Sequence, residues 1–213
     1  NFMEVMTLGN ISKDGSKAKS QNIMPDWVDA NTNVDIKNFS YENFIASDVS
    51  GAIEYENSNI NGSNLYARSL NGEITGSFIL NEPIKNNLKL VSDITLKKIN
   101  IRNSFDAFNN YGQTFISKEQ LKGVGTAELN IESYWNNNFV LDAKKLKVKS
   151  HLAIEKGELI DFKPLENLSS YVSLDELKHV TFSTLENTID VANEMITIPT
   201  MEIKSSALSV FLS

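Results

Sequence analysis

The chain has 213 residues, of which 41% are hydrophobic and 22% charged, with 20 basic and 27 acidic side chains and a net charge of −7. This length suits one large domain or two small ones and can bury a core without disulfide or metal staples. No cysteine is present, which excludes disulfides, thiolate catalysis and cysteine-ligated zinc. Arg68 and Arg102 are the only arginines, and the acidic balance weighs against a nucleic-acid-binding protein.

The two ends of the sequence indicate a piece of a longer protein. The chain begins with Asn1 and has no signal-peptide pattern at its start. It ends within an apolar pattern at residues 207–213, and no apolar run reaches the ~18 to 20 residues of a membrane-spanning helix. We therefore expect residues 1–213 to form one β-rich domain that is a fragment of a longer protein.

Apolar and polar residues alternate with a period of two along much of the chain, as Leu88, Leu90, Ile94 and Leu96 show. Such alternation is typical of strands with one apolar and one polar face. In chain order it predicts strands at 2–8, 33–40, 44–56, 63–70, 73–80, 87–101, 125–135, 138–149, 151–160, 179–185, 187–192, 195–203 and 206–212.

Turn signals separate several of these strands. Asn61-Gly62 and Asn71-Gly72 suit the two positive-φ positions of a tight hairpin turn, and Glu82-Pro83 and residues 136–138 predict further reversals. Strands joined by tight hairpins are antiparallel. The polar segment 13–24 is predicted to be a mobile loop.

Helical signals are few and short. They predict a helix at 164–172 behind Pro164, capped turns at 173–177 and 117–121, and a further helical turn anchored by Phe105 and Phe108. None is long enough for a crossover between parallel strands. The residues by themselves therefore predict an antiparallel β protein with an amphipathic sheet.

No residue pattern predicts catalysis, a cofactor or a metal site. His151 and His179 lack an i, i+4 partner and fit surface or boundary positions. Gly123-Val124-Gly125 is too sparse for a phosphate-binding loop. A Ser-His-Asp triad assembled across the fold is the alternative that sequence leaves open, although the Gly-x-Ser-x-Gly elbow is absent. We predict a protein that is not an enzyme.

Several short motifs follow one another in a distinctive order. In the C-terminal third these are Lys156-Gly157-Glu158-Leu159, Phe162-Lys163-Pro164-Leu165, a strand with Phe182, and Ile198-Pro199-Thr200-Met201-Glu202-Ile203-Lys204-Ser205-Ser206. Upstream are Phe44-Ile45-Ala46-Ser47-Asp48-Val49-Ser50-Gly51, Leu70-Asn71-Gly72 and Asn110-Tyr111-Gly112-Gln113-Thr114-Phe115-Ile116. This order resembles the C-terminal region of AsmA-like proteins of the Bacteroidetes type, over most of residues 25–213. One departure is that the chain stops where such proteins usually continue with a Gly-x-His-x-Phe segment and further strands.

The resemblance implies a fold, a location and a function. The implied fold is mainly β, a long curved antiparallel sheet in the form of a half-pipe or incomplete barrel with a few short helices. The implied location is the periplasm, with an inner-membrane anchor in a segment that is absent from this chain. The implied role is in outer-membrane biogenesis, with phospholipid or another envelope lipid as partner, possible envelope protein partners, and membrane contact through parts outside this fragment.

Lipid would lie along an apolar floor of the sheet, held by burial of acyl chains and without any bond being made or broken. The candidate lipid-facing residues are Ile74, Phe78, Leu80, Leu88, Leu90, Leu129, Ile131, Phe139 and Leu141. The alternative for each of them is an ordinary sandwich or sheet-on-helix core.

Two other functions stay open at this point. One is a structural or interaction β-module, an assembly factor or adhesin-like sandwich, that docks partners at an exposed edge without carrying lipid. The other is a carbohydrate-active enzyme or carbohydrate-binding domain. An apolar face that is open favours lipid carriage, whereas a closed two-layer core favours the interaction module.

Overall fold

The computed structural model describes residues 27–85, 87–112, 114–136, 138–168, 173–199, 201–204 and 209–212. Nine strands form one open sheet in the order β1 to β9, and every neighbouring pair is antiparallel. A separate antiparallel pair is formed by β10 and β11. The strands are β1 Ala30–Tyr41, β2 Phe44–Glu56, β3 Asn59–Ser69, β4 Gly72–Ile84, β5 Asn87–Asn100, β6 Leu121–Asn136, β7 Lys147–Ile160, β8 His179–Ala192, β9 Met195–Thr197, β10 Met201–Lys204 and β11 Ser209–Leu212.

The predicted fold class, a mainly β chain with a long curved antiparallel sheet and a few short helices, is confirmed. The predicted strand at 44–56 coincides with β2. The strands predicted at 179–185 and 187–192 are one continuous strand, β8, and the strand predicted at 195–203 is divided into β9 and β10. The strand predicted at 2–8 and the loop predicted at 13–24 lie outside the described residues.

Two of the predicted turns are wrong. Asn61-Gly62 lies inside β3 and Glu82-Pro83 inside β4. The turn between β2 and β3 uses Asn57 and Ser58, whose φ angles are 48° and 58°. Two consecutive positive φ angles match the right-handed twist of a hairpin, and here asparagine and serine supply them where the sequence pattern pointed to the glycine four residues further on.

The strand predicted at 138–149 is also wrong in its first part. After β6 the chain enters a loop that contains the 3₁₀ helix Ala143–Lys145, and β7 begins only at Lys147. The side-chain oxygen of Asn136 accepts hydrogen bonds from the backbone nitrogens of Asn138 and Val140, at 2.9 and 3.1 Å. This local bonding turns the backbone away from the extended path that the alternation predicts.

The helices lie in the two connections at one end of the sheet. α1 is Ile101–Ala107, which follows β5 directly and is capped by the Asn100 side chain, and α2 is Leu174–Leu177. The helix predicted at 164–172 is a 3₁₀ helix at Lys163–Leu168, and its last predicted residues lie outside the described ones. The predicted turn at 117–121 is present, since the backbone nitrogens of Gln120 and Leu121 donate to the Ser117 carbonyl.

These connections cover one end of the apolar face and make a closed core there. The helices bring apolar side chains onto the ends of β6, β7 and β8, where a cluster of apolar residues is buried. The buried members of this core are Ile101, Ile154, Leu159, Leu165, Leu177, Val180 and Phe182.

We expect Leu177→Ala to lower the free energy of unfolding by about 2 to 5 kcal/mol, because the side chain is 3% exposed within this core and its removal leaves a cavity. The matched control is Ile84→Ala near the end of β4, where the side chain is 68% exposed, and it should change stability by about 0.5 kcal/mol or less. Urea unfolding of both variants measures the difference, and equal effects would contradict the assignment of the core to this end.

Candidate functional site: an open apolar sheet face

The strand pairing places apolar residues in rows that run across the sheet. Residues paired in register across antiparallel strands lie side by side on the same face. We call the face that carries these rows the open face. One row is Ala67, Ile74, Leu96, Ala127 and Leu152; the next is Leu65, Gly76, Ile94, Leu129, Ser150 and Ile189; the third is Gly62, Phe78, Ser92, Ile131, Val148 and Val191; the last is Ile60, Leu80, Leu90 and Ser133.

Every leucine, isoleucine, valine and phenylalanine of these rows keeps intermediate exposure. In the closed core at the end of the sheet, by contrast, the corresponding side chains are buried. Among the described elements, contacts with the sheet from outside it are made by α1 on β5 and β6, by α2 and β10 on β8, and by the 3₁₀ helix Ala143–Lys145 on β6. The 3₁₀ helix Lys163–Leu168 adds Leu165 to the closed core at the end of the sheet. Within the described residues the middle of the open face therefore has no second layer.

The candidate residues fall into two groups. Ile74, Phe78 and Leu80 on β4, Leu90 on β5, and Leu129 and Ile131 on β6 all belong to the rows of the open face. The remaining three lie at the far end of the sheet.

Leu88 points to the same face of β5 as Leu90, but it is only 1% exposed and pairs with Trp135 of β6. Phe139 and Leu141 do not lie on the sheet: they belong to the loop after β6, and Leu141 is joined to Trp135 by an isolated bridge. These three residues are therefore not part of the rows that cross the open face.

The rows also contain residues that the candidate set omitted. Ile94 and Leu96 point to the same face of β5 as Leu90, and the period-two alternation along β5 is sufficient to predict this. Val148, Ile189 and Val191 extend the rows onto β7 and β8. Their membership depends on the strand register, which a single sequence does not contain.

The ring of Phe78 lies against a glycine of the neighbouring strand. A Cβ atom built on Gly62 would come within 2.3 Å of the Phe78 ring, and Gly62 itself is buried. The glycine is thus required for space, and not for the turn that its sequence context predicts.

The opposite face of the sheet is polar and carries cross-strand ion pairs. Glu132 on β6 lies between Lys89 and Lys147, with nitrogen–oxygen distances of 2.9 Å to each. The hydrogen bonds from Lys89 and then Lys147 hold the pKa of the Glu132 carboxyl below its ordinary value. The sheet is therefore amphipathic, with charge on one side and hydrocarbon on the other.

A cavity of about 650 Å³ lies at the end of β2, β3 and β4 beside α1. Its lining combines apolar Ile45 and Leu70 with polar residues that include Arg68. The guanidinium is already engaged, with Asp48 at 3.2 Å and the Tyr66 hydroxyl at 3.1 Å. None of the candidate lipid-facing residues lines this cavity.

The two histidines lie next to glutamates at exposed positions. The Nε2 atom of His151 is 2.9 Å from Glu186, and that of His179 is 3.2 Å from Glu158. Within the described ranges, no cluster of three or more histidine, aspartate or glutamate residues could hold a metal ion. In the same ranges, no helix has the length and apolar character needed to cross a membrane.

No known protein family, curated protein or solved structure matches the chain.

Gly62→Val should lower the free energy of unfolding by about 1 to 3 kcal/mol, because the new side chain would occupy the space of the Phe78 ring. In a Phe78→Ala background the same substitution should cost less, since valine is otherwise favoured in strands. Unfolding free energies of the four proteins of this double-mutant cycle measure the coupling. Strictly additive effects would contradict the contact.

Glu132→Gln should reduce the loss of stability at acid pH. Since the pKa of Glu132 is lowered in the folded protein, its stabilisation is present above the ordinary value of 4.5 and is lost as the pH falls through the native pKa. The control is Glu128→Gln on the same strand and face, for which the described residues show no ion pair. Thermal unfolding between about pH 7 and pH 3 should show the flatter profile for Glu132→Gln only.

Proposed function

We propose that this chain is a non-enzymatic segment of an AsmA-like envelope protein, and that its open face holds or conducts lipid. The envelope location, the inner-membrane anchor and the role in outer-membrane biogenesis belong to the proposal and are supported by the motif order in the sequence. The lipid contact is supported by one observation: apolar rows cross β3 to β8 without a covering layer among the described residues.

The dimensions of the face suit acyl chains. Strands lie about 4.8 Å apart, so the longest apolar rows, which cross the six strands β3 to β8, extend for about 24 Å. Each acyl methylene removed from water contributes about 0.8 kcal/mol. Two lipid tails lying along a row would therefore be held firmly while their head groups remain in water.

The smoothness of the face favours sliding over fixed binding. Hydrophobic contact has no preferred direction, and the rows offer few hydrogen-bonding groups. Ser92 and Ser133 are buried between larger neighbours, at 7% and 2% exposure, and the Ser150 hydroxyl donates to the Ile189 carbonyl. A lipid moving from strand to strand would exchange one apolar contact for an equivalent one.

The interaction module without lipid is the alternative function. It is favoured by the exposed edge strand β1, which offers backbone groups for β-augmentation. The open face favours lipid carriage, because docking through the edge does not require an uncovered apolar face.

The experiment is extraction and mass spectrometry of lipid bound to the purified chain, with Leu90→Asp as the test variant. We expect phospholipid or another envelope lipid with the parent chain and at least about a tenfold loss in Leu90→Asp, because a carboxylate in an apolar row repels hydrocarbon. Circular dichroism and urea unfolding establish that the variant is folded.

The matched control is Ile79→Asp on the neighbouring strand. Ile79 is apolar and 49% exposed, and it projects from the polar face. This variant should keep the lipid of the parent chain. Absence of lipid from the parent chain even after incubation with phospholipid vesicles, or equal loss in both variants, would refute lipid carriage on the open face.

A further inference from the structure

The sheet has one long exposed edge. β1 has 12 residues, and all except Val34 are exposed. At the opposite edge, β9 has three residues and pairs only with Asp190–Ala192 of β8. No described strand pairs with the outer side of β1, so alternate N–H and C=O groups along it point away from the sheet.

β1 carries two charges, and they are opposite in sign and two residues apart. Asp35 and Lys37 flank Ile36 near the middle of the strand. Neither makes an ion pair with another described residue. Edge strands usually prevent self-association with proline, a bulge or several like charges, and β1 contains no proline.

This charge pattern is complementary to itself when the strand is reversed. In an antiparallel pair of two β1 strands centred on Ile36, Asp35 of each copy lies opposite Lys37 of the other. Both cross-strand pairs then join opposite charges, which stabilises antiparallel pairing.

Symmetry restricts the competing registers. A two-fold axis that generates antiparallel strands is perpendicular to the sheet, lies midway between the two strands and keeps each face on its side. Since directly opposite residues point to the same face, one residue of β1 must then pair with its own copy across the axis. The two registers next to the one on Ile36 are centred on Asp35 or on Lys37. Each of these places like charges directly opposite each other, which is destabilising.

We propose that two copies of this chain associate through β1, antiparallel and centred on Ile36, to form one continuous 18-stranded sheet. Asp35 and Lys37 select the register, and the outward backbone groups of β1 supply the hydrogen bonds. The two-fold axis places both open faces on the same side of the joined sheet. The inference concerns the edge of the sheet and does not depend on lipid binding.

Sedimentation velocity of the 213-residue chain between about 1 and 200 µM tests the association. We expect a dimer of the 23.8 kDa chain, and slower amide exchange in residues 30–41 as the concentration rises. Asp35→Lys and Lys37→Asp should each weaken the dimer by about tenfold or more, because each replaces both opposite-charge pairs by like-charge pairs.

Combining the variants provides the control for folding and for the register. An equimolar mixture of Asp35→Lys and Lys37→Asp should form a heterodimer, because one copy then carries two positive and the other two negative side chains at the paired positions. The double variant Asp35→Lys/Lys37→Asp should dimerise like the parent chain.

Three results would overturn the proposal. The first is a parent chain that stays monomeric at about 200 µM, which would leave the edge to residues 1–26 or to another protein. The second is a dimer that both single reversals leave unchanged, since the interface would then lie elsewhere. The third is failure of the mixed variants to pair while both remain folded by circular dichroism.

Discussion

The open face requires that the apolar side chains stay on one side of the sheet along strands of 11 to 16 residues. Successive residues of a strand point to opposite faces, so one uncompensated extra residue would turn the rest of the strand over. Extra residues are absorbed by bulges at Asn64 in β3, Lys98 in β5 and Lys156 in β7, each with φ between 51° and 54°. Each bulge takes up the additional residue and returns the next apolar side chain to the same face.

The bulge at Lys98 shows what would be lost without this correction. Leu96 pairs with Ala127, and after the bulge Ile99 pairs with Gly125. Ile99 is 2% exposed and leads into α1, which carries Ile101 into the closed core. Strict alternation would direct Ile99 to the polar face instead. Bulges also bend the strand and increase its twist, so the same irregularities that preserve the phase contribute to the curvature of the sheet.

Features that depend on neighbouring residues along the chain can be predicted from the sequence. Features that depend on contacts between different strands cannot. β2 was predicted at its observed bounds because its apolar pattern and its flanking turns are local. The turn at Asn57 and Ser58 was missed because Asn61-Gly62 is the stronger local signal. That glycine instead accommodates the Phe78 ring, a contact across strands that has no local signature.

The candidate face was predictable in the same partial way. Period-two alternation identified Leu90 and Ile131 without any knowledge of the register. The same alternation wrongly places Phe139 and Leu141 on a strand. Hydrogen bonds to the Asn136 side chain form a loop there instead. Val148 pairs with Ile131 of β6 and with Val191 of β8. Only this pairing assigns the two valines to the open face, and a single sequence does not contain it.

The open face and the β1 edge are physically independent features of the same sheet. Residues that point out of the sheet plane form the face, whereas in-plane backbone groups form the edge. A charge at Leu90 changes the hydrocarbon surface without affecting the hydrogen bonds of β1, and a charge reversal at Asp35 leaves rows that begin at β3 untouched. Edge pairing would nevertheless place both open faces on the same side of one sheet, because a two-fold axis perpendicular to the sheet does not invert it. A sheet whose bulges preserve its phase can therefore be widened by symmetry as well as by additional strands, with its apolar side unchanged.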